Sequence, residues 1–219
     1  FGNRTFYTDL QAAVDAASGK ECYVKLLADQ TGDITVTGNV YLDLNGFTLT
    51  GNVSGEGVLY CMDSATNDYN CEDMGRITGT VSCQLSAHFE AFGKRYMVIA
   101  DETGYTAHRF YLGVTKISLK PAHTGVGYKA VFYGDEMVQQ LVASYGYTLQ
   151  LGSNRAITRT KNGSFISGKD VTLRINNYDI ENFAQMDLTA YVMITLTDGT
   201  VIESGSVTRT FRQIMESVD

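Results

Sequence analysis

The sequence predicts an all-β protein in two parts: a short right-handed parallel β-solenoid capped by an N-terminal helix over residues 1–86, and an immunoglobulin-like antiparallel β-sandwich over residues 87–219. The first observation is composition, since 219 residues include 22 glycines and a single proline. The second is that the segments between the glycines are rich in Thr, Val, Ile and Tyr, which favour strands. The third is spacing: very short strand candidates recur about every seven or eight residues in the first part, and at roughly 8–12 residues in the second.

Charge and hydropathy exclude several classes of protein. Lys and Arg total 17 and Asp and Glu total 24, so the formal net charge is −7. Proteins that bind nucleic acids need a positively charged surface for the phosphates, so we expect no nucleic-acid partner. The sequence contains no run of ~18 apolar residues, so we expect no membrane insertion. The hydrophobic fraction of 44% predicts a folded chain.

A helix is predicted over residues 9–18. Thr8 and Gln11 have the spacing of a capping box, in which the Thr hydroxyl and the Gln side chain satisfy the first free amides. Gly19 supplies a left-handed stop. Apolar residues follow at helical spacing, at Leu10, Ala13, Val14 and Ala17. We expect this apolar face to cover the open end of a stack of strands.

The strand candidates that follow are too short for the hairpins of a sandwich and suit the coils of a parallel solenoid. They are Tyr23–Leu27, Ile34–Val36, Tyr41–Leu44, Thr48–Thr50, Val58–Tyr60 and Arg76–Thr78.

Residues 9–51 carry a resemblance to a known family. The helix, the segment Val24–Asp29 and the string Leu-Asp-Leu-Asn-Gly at 42–46 resemble the opening of pectate-lyase-like β-helix modules in secreted surface proteins of gut anaerobic bacteria. The resemblance implies an extracellular location and covers about 80 residues. It implies structural roles for Asn45 and Gly46, with the Asn side chain bonding backbone in a turn, and it does not by itself imply lyase chemistry.

The second part shows alternating strands and turn signals. Asp198-Gly199 is the clearest hairpin turn, and Gly134–Val138 opens a short helix. The segments Gly125–Asp135 and 198–204 resemble recurring segments of the same bacterial surface proteins, in the same order. The strand candidates are 95–100, 105–112, 114–119, 128–133, 145–151, 156–160, 171–176, 188–195 and 200–207, with a final short helix or tail at 211–218.

The four cysteines and the acidic segment 63–73 are the candidates for cross-links and metal binding. The sequence contains no Cys-x-x-Cys pair, which argues against zinc. We expect small buried cysteines, the alternative being one disulfide among Cys61, Cys71 and Cys83. We expect no cofactor and a solvated acidic loop; the alternative is a Ca²⁺ site, whose oxygen ligands would be Asp68, Asn70 and Glu72.

The aromatic residues provide the candidate ligand site. The chain has 14 Tyr, 10 Phe and no Trp, and Tyr suits both sandwich cores and exposed binding faces. Core packing is the simpler interpretation of the aromatic cluster at the junction of the two parts. The alternative is a ligand-binding patch, for which the candidates are Tyr111, Tyr128 and Tyr133.

These observations predict a non-catalytic binding, adhesion or display module of a larger bacterial surface protein, secreted or associated with the cell wall. The expected partner is a host protein, a glycan or a neighbouring module of the same protein. The sequence contains no Gly-x-Ser-x-Gly nucleophile motif. One alternative is a polysaccharide lyase or hydrolase of β-helix type, and a second is a purely structural spacer.

Overall fold

The protein is mostly β, with three short helices among the residues that its computed structural model describes. These residues are 3–65, 69–120, 125–153, 155–163, 169–174 and 184–217. None of their helices has the length and apolar composition that a bilayer crossing requires. The chain forms two compact units, Phe1–Phe110 and Tyr111–Asp219, whereas the sequence placed the boundary after residue 86.

The first unit consists of one helix followed by short strands. They are α1 (Leu10–Ala17), β1 (Tyr23–Lys25), β2 (Gln30–Thr31), β3 (Ile34–Thr35), β4 (Asn39–Asp43), β5 (Thr48–Thr50), β6 (Val53–Ser54), β7 (Val58–Met62), β8 (Arg76–Ile77), β9 (Gln84–Leu85), β10 (His88–Ala91), β11 (Lys94–Asp101) and β12 (Gly104–Val114). The division between the units falls inside β12.

Three parallel ladders organise the first unit. Their strand orders are β1-β4-β7-β9, β2-β5-β8 and β3-β6. Hydrogen bonds from turn side chains, as well as backbone pairing, connect successive strands of these ladders. The amides of Thr48 and Asn52 donate to the carboxylates of Asp29 and Asp33, each 19 residues earlier. We call β1–β3 the first round and β4–β6 the second; each strand of the second pairs in register with its counterpart in the first. In the third round β7 and β8 pair in the same way with β4 and β5.

The third round is longer because the acidic segment is inserted into it. The amide of Thr80 donates to the side chain of Asn52, 28 residues earlier. After β9, which still pairs in parallel with β7, the pairing becomes antiparallel: β10, β11 and β12 form a meander, and Tyr105 of β12 lies opposite Ile77 of β8.

The aliphatic side chains of the ladders meet in one core. Leu42, Leu59 and Ile77 have no exposed surface. The helix α1 contacts β1 and β3, the first strands of their ladders, and also β4. It buries Val14 and Ala17 in the same core. The predicted helix is confirmed, and its apolar face packs on this core.

The predicted cap of this helix is wrong in one detail. The N-cap is Asp9, whose carboxylate accepts from the amides of Gln11 and Ala12. Gln11 does not reach back toward Thr8; its side-chain amide accepts from the Thr35 N–H at 2.7 Å and donates to the Thr35 carbonyl at 3.0 Å. A side chain thus completes the hydrogen bonds of a strand edge, which otherwise would need water or another chain.

In its described residues the second unit has longer antiparallel strands and two short helices. They are β13 (Ser118–Lys120), β14 (Gly125–Tyr133), α2 (Glu136–Gln140), β15 (Val142–Leu151), β16 (Arg155–Asn162), β17 (Lys169–Arg174), β18 (Asp187–Leu196), β19 (Val201–Glu203), β20 (Val207–Thr210) and α3 (Phe211–Met215).

Its strands form two antiparallel sets. β14 pairs with β13, with β17 and with the end of β12, while the other sheet has the order β16-β15-β18-β19, with β20 also on β18. Along β18 every second side chain is buried, as a strand with one face on the core requires. The Asp198-Gly199 hairpin turn is confirmed: Gly199 has φ +88° and β18 pairs with β19 across it.

Tyr128 of β14 connects the two sets of strands. It has no exposed surface, and its hydroxyl lies 3.0 Å from the carbonyl oxygens of both Thr148 in β15 and Tyr191 in β18. Burial raises the pKa of this phenol, so the hydroxyl keeps the proton with which it donates.

We predict that Tyr128→Phe lowers the free energy of unfolding by about 1 kcal/mol, because the hydrogen bond that the hydroxyl shares between two carbonyl oxygens is lost while the ring still fills its place. Urea unfolding measures the change. Tyr133→Phe is the control, since that side chain is 49% exposed, and it should unfold like the wild type. Equal midpoints for the two variants would contradict the assigned role of the Tyr128 hydroxyl.

Close backbone contact at one corner of the parallel rounds requires glycine. A Cβ added to Gly51 would overlap the carbonyl oxygen of Gly32 in the round before, and one added to Gly79 would overlap that of Gly51 in the same way. Neither Gly51 nor Gly79 has a positive φ, so glycine is required there because a Cβ has no room, and not because of the backbone conformation.

We predict that Gly51→Ala destabilises the protein by at least ~2 kcal/mol, because two rounds must separate or shift to admit the methyl group. Gly205→Ala is the control, since a Cβ at that position meets nothing within 4 Å. Thermal and urea unfolding should separate the two variants clearly. A Gly51→Ala protein as stable as Gly205→Ala would contradict the stacking of these corners.

Candidate functional site

The outward face of the ladder β1-β4-β7 carries a column of tyrosines. Tyr23, Tyr41 and Tyr60 lie opposite one another in the register of the three strands. The rings of Tyr41 and Tyr60 are stacked, with centroids 4.7 Å apart and planes 23° apart. Parallel in-register pairing produces this stack, because it puts equivalent side chains one above another.

The hairpin of β10 and β11 adds further rings to this column. Phe89 lies edge-on to Tyr60 at 5.2 Å and is stacked with Tyr96 at 5.6 Å. Phe92, in the turn of the hairpin, lies edge-on to Tyr41 at 5.4 Å and to Tyr23 at 5.1 Å. We call the five residues Tyr23, Tyr41, Tyr60, Phe89 and Phe92 the aromatic surface.

One end of this arrangement is closed and the other is open. Tyr96 is 1% exposed, and burial together with the nearby Asp43 raises its pKa to about 12. Tyr23 and Phe92 are 46% and 49% exposed. The open end therefore offers aromatic area to solvent. Isolated surface rings also do so, but here Tyr23 and Phe92 contact each other, and Phe92 also contacts Tyr41.

The backbone at Phe92 is in a conformation that phenylalanine rarely adopts. Its φ is +51° and that of Gly93 is +71°, the pattern of a two-residue hairpin turn in which Asn-Gly or Gly-Gly is preferred. A left-handed conformation costs a residue with a Cβ roughly 1–2 kcal/mol. The ring contacts with Tyr23 and Tyr41 hold Phe92 there, although half of the side chain remains in water.

The next row on the same face is ionic. Lys25 lies beside Asp43 in the register, with its Nζ 3.7 Å from the carboxylate and 2.7 Å from the Ser64 hydroxyl. The Asp43 carboxylate is 1% exposed and accepts from the Ser64 hydroxyl and amide and from the Asn45 amide. Every oxygen of Asp43 is thus used in holding turns.

Asp63 holds the two ends of the inserted acidic segment. It is 1% exposed and accepts from the amides of Gly46, Ala65 and Gly75. Burial and the neighbouring Asp43 raise its pKa, and the three amides lower it; the net direction is upward because burial is the largest effect.

The turn residues assigned from the sequence resemblance are in their expected places. The side-chain amide of Asn45 donates to the Leu26 carbonyl at 3.0 Å. Asn45 and Gly46 have φ of +49° and +81°. Their structural role is confirmed.

The three tyrosines predicted as ligand candidates separate into two environments. Tyr111 and Tyr133 lie opposite each other on β12 and β14, are 43% and 49% exposed, and have centroids 6.1 Å apart with planes at 28°. Tyr128 is a core residue, and a ligand role for it is corrected by its burial and its two carbonyl partners.

The predicted calcium site at Asp68, Asn70 and Glu72 stays a prediction. Asn70 and Glu72 are both exposed, and Asp68 lies outside the described residues. The buried carboxylate of this segment is Asp63, whose oxygens accept from backbone amides.

The four cysteines, all within the described part of the chain, are free thiols. Cys61, Cys71 and Cys83 are buried as predicted, while Cys22 is exposed; the alternative of a disulfide is not found. Burial raises the pKa of the Cys61 thiol. Cys71 comes within 4.8 Å of a ring nitrogen of His108, but the two residues are 5% and 0% exposed, so their thiol and imidazole are closed to a substrate from solvent.

The aromatic surface was missed from the sequence for a definable reason. Tyr23, Tyr41 and Tyr60 are separated by about the length of one round, and this spacing acquires meaning only when the register of the rounds is known. Phe92-Gly93 does not resemble the usual hairpin turn, so no local pattern predicted a ring at this position.

Comparison with known proteins adds no identification: no family model and no curated protein matches the chain.

The raised pKa of Asp63 predicts a pH dependence of stability. The folded protein retains this proton at pH values where the unfolded chain, with an ordinary Asp pKa of about 3.9, has lost it. The contribution to the free energy of unfolding is therefore fully present below pH ~4 and is lost as the pH rises through the raised value.

Asp63→Asn should flatten this part of the profile, as measured by urea unfolding from pH 4 to pH 7. Asp73→Asn, an exposed aspartate of the same segment, should follow the wild-type slope. If the stability of the wild type rises relative to Asp63→Asn over this range, the three backbone donors outweigh burial and the assigned direction is wrong.

Proposed function

We propose that this chain is a non-catalytic binding or display module of a larger bacterial surface protein, secreted or associated with the cell wall. Its first unit is a short, helix-capped parallel β-solenoid, and its second is an immunoglobulin-like sandwich. The parallel ladders at a 19-residue interval support the first assignment. The alternating burial of β18, together with Tyr128 connecting two sets of antiparallel strands, supports the second.

The observation that carries the binding proposal is the aromatic surface. Its five rings contact one another in a continuous series on a sheet face, and two of them, Tyr23 and Phe92, are about half exposed. Tyrosine rings supply large, stiff contact area with a polar end, which suits recognition of partners outside the cell. The partner is a host protein, a glycan or a neighbouring module of the same protein.

The engagement of the buried acidic groups disfavours the alternative of a polysaccharide lyase or hydrolase. Such enzymes need carboxylates that face the substrate or a Ca²⁺ ion bound to it. Asp43 and Asp63 are 1% exposed and hold backbone amides. Release of reducing ends or unsaturated products from pectin-like polymers, with or without Ca²⁺, would support the enzyme alternative.

We predict that the immobilised chain captures at least one member of a panel of mucin, fibronectin, laminin, and plant and microbial polysaccharides. Tyr23→Ala should weaken that binding about tenfold or more without lowering the unfolding midpoint much, since this side chain is 46% exposed. Tyr133→Ala tests the other exposed pair and should bind like the wild type.

Three outcomes decide between the candidates. Loss of binding in Tyr133→Ala alone would move the site to the Tyr111–Tyr133 pair. Equal binding by all three proteins would remove the aromatic surface from the proposal. A wild type that binds nothing on the panel contradicts a binding role and favours the structural spacer.

A further inference from the structure

We propose that Tyr23, Tyr41 and Phe92 form a site for an uncharged pyranose ring of a glycan. The inference rests on the proposed binding function and assigns the chemical class of the ligand. It concerns the open end of the aromatic surface.

The three rings form a corner and not a flat stack. Phe92 lies at 66° to Tyr23 and at 76° to Tyr41, with centroid distances of 5.1 Å and 5.4 Å. A corner of this kind presents a ring face on one side and a second ring beside it. A pyranose has the complementary shape, with an apolar face of C–H groups and a rim of hydroxyls, and polarised C–H groups are attracted to the negative face of an aromatic ring.

The polar groups at this corner match a hydroxylated ligand. Two of the three rings are tyrosines, whose hydroxyls donate and accept. Tyr23 and Lys25 belong to the same three-residue strand and are both exposed. The Lys25 ammonium is paired with Asp43, so the row beside the corner has little net charge. That balance favours a neutral sugar over an acidic one.

The conformation of Phe92 is an independent reason to assign a ligand role here. A ring at a left-handed turn position, where Asn or Gly is preferred, is held in a costly conformation that leaves 49% of it in water. Such strain tends to occur at ligand-binding positions. Burial of a hydrophobic side chain is not a sufficient account, because the residue is among the exposed large hydrophobics of the chain.

The test uses the full chain with cellohexaose, mannohexaose, galactan oligomers and chitohexaose as probes. Calorimetry gives the affinity, and saturation-transfer NMR shows which sugar protons contact protein. We expect at least one probe to bind, with its ring C–H protons showing the strongest transfer. Phe92→Asn should lower that affinity at least tenfold, while the turn it creates, Asn-Gly, is the favoured one and keeps the hairpin folded.

Matched variants separate binding from folding. Tyr23→Ala should lower the affinity similarly, and Tyr133→Ala, with the same 49% exposure as Phe92, should leave it unchanged. Thermal unfolding of each variant shows whether a loss of binding comes from a loss of structure. If Phe92→Asn is unfolded, Tyr23→Ala alone decides.

The outcomes for the ligand class are distinct from those for the proposed function. Failure of all four probes to bind at millimolar concentration overturns the pyranose site, and so does wild-type affinity in Phe92→Asn or Tyr23→Ala. If the chain then still captures fibronectin, laminin or mucin polypeptide through Tyr23, the binding function stands and the occupant is a protein side chain. If self-association is lost in Tyr23→Ala while no sugar binds, the occupant is a second copy of this chain.

Discussion

The spacing of one round of strands on the next determines most of the first unit. At an interval of 19 residues the turn carboxylates of Asp29 and Asp33 lie beneath the amides that they accept from. The same register brings Gly51 onto the Gly32 carbonyl. A slip of one residue would turn every side chain of a strand to the opposite face, so the core leucines and the outward tyrosines depend together on this one interval.

The inserted acidic segment is accommodated because its ends are held at one carboxylate. Between the second and third rounds the interval grows to 28 residues, yet the backbone returns to the same ladder at β8. Asp63 accepts from Gly46 in the turn of the earlier round and from Gly75, just before the chain rejoins the ladder. A buried carboxylate with three amide donors thus fixes both ends of the insertion.

Features that depend on a few neighbouring residues were predicted from the sequence, whereas features that depend on how the strands pair were not. Strand positions, the helix over Leu10–Ala17 and the turn at Asn45 follow from periodicity and turn chemistry over a few residues. Asp9 and not Thr8 is the cap, and the Gln11 side chain bonds to the strand edge at Thr35 instead of completing a capping box with Thr8. Alternation along β14 indicated that some tyrosines face outward, but the burial of Tyr128 and the exposure of Tyr133 depend on which face meets the second sheet.

The aromatic surface shows how coverage of a sheet face is divided between stability and contact with solvent. The hydrophobic effect favours covering every ring, and at one end the β10–β11 hairpin places Phe89 against Tyr60 and buries its own Tyr96. At its turn the same hairpin places Phe92 edge-on to Tyr23 and Tyr41, while Tyr23 and Phe92 remain about half exposed. Phe92, Tyr23 and Tyr41 are thus ordered before any partner arrives. Preorganisation of this kind suits the proposed small binding site, because little conformational freedom is left to lose on binding.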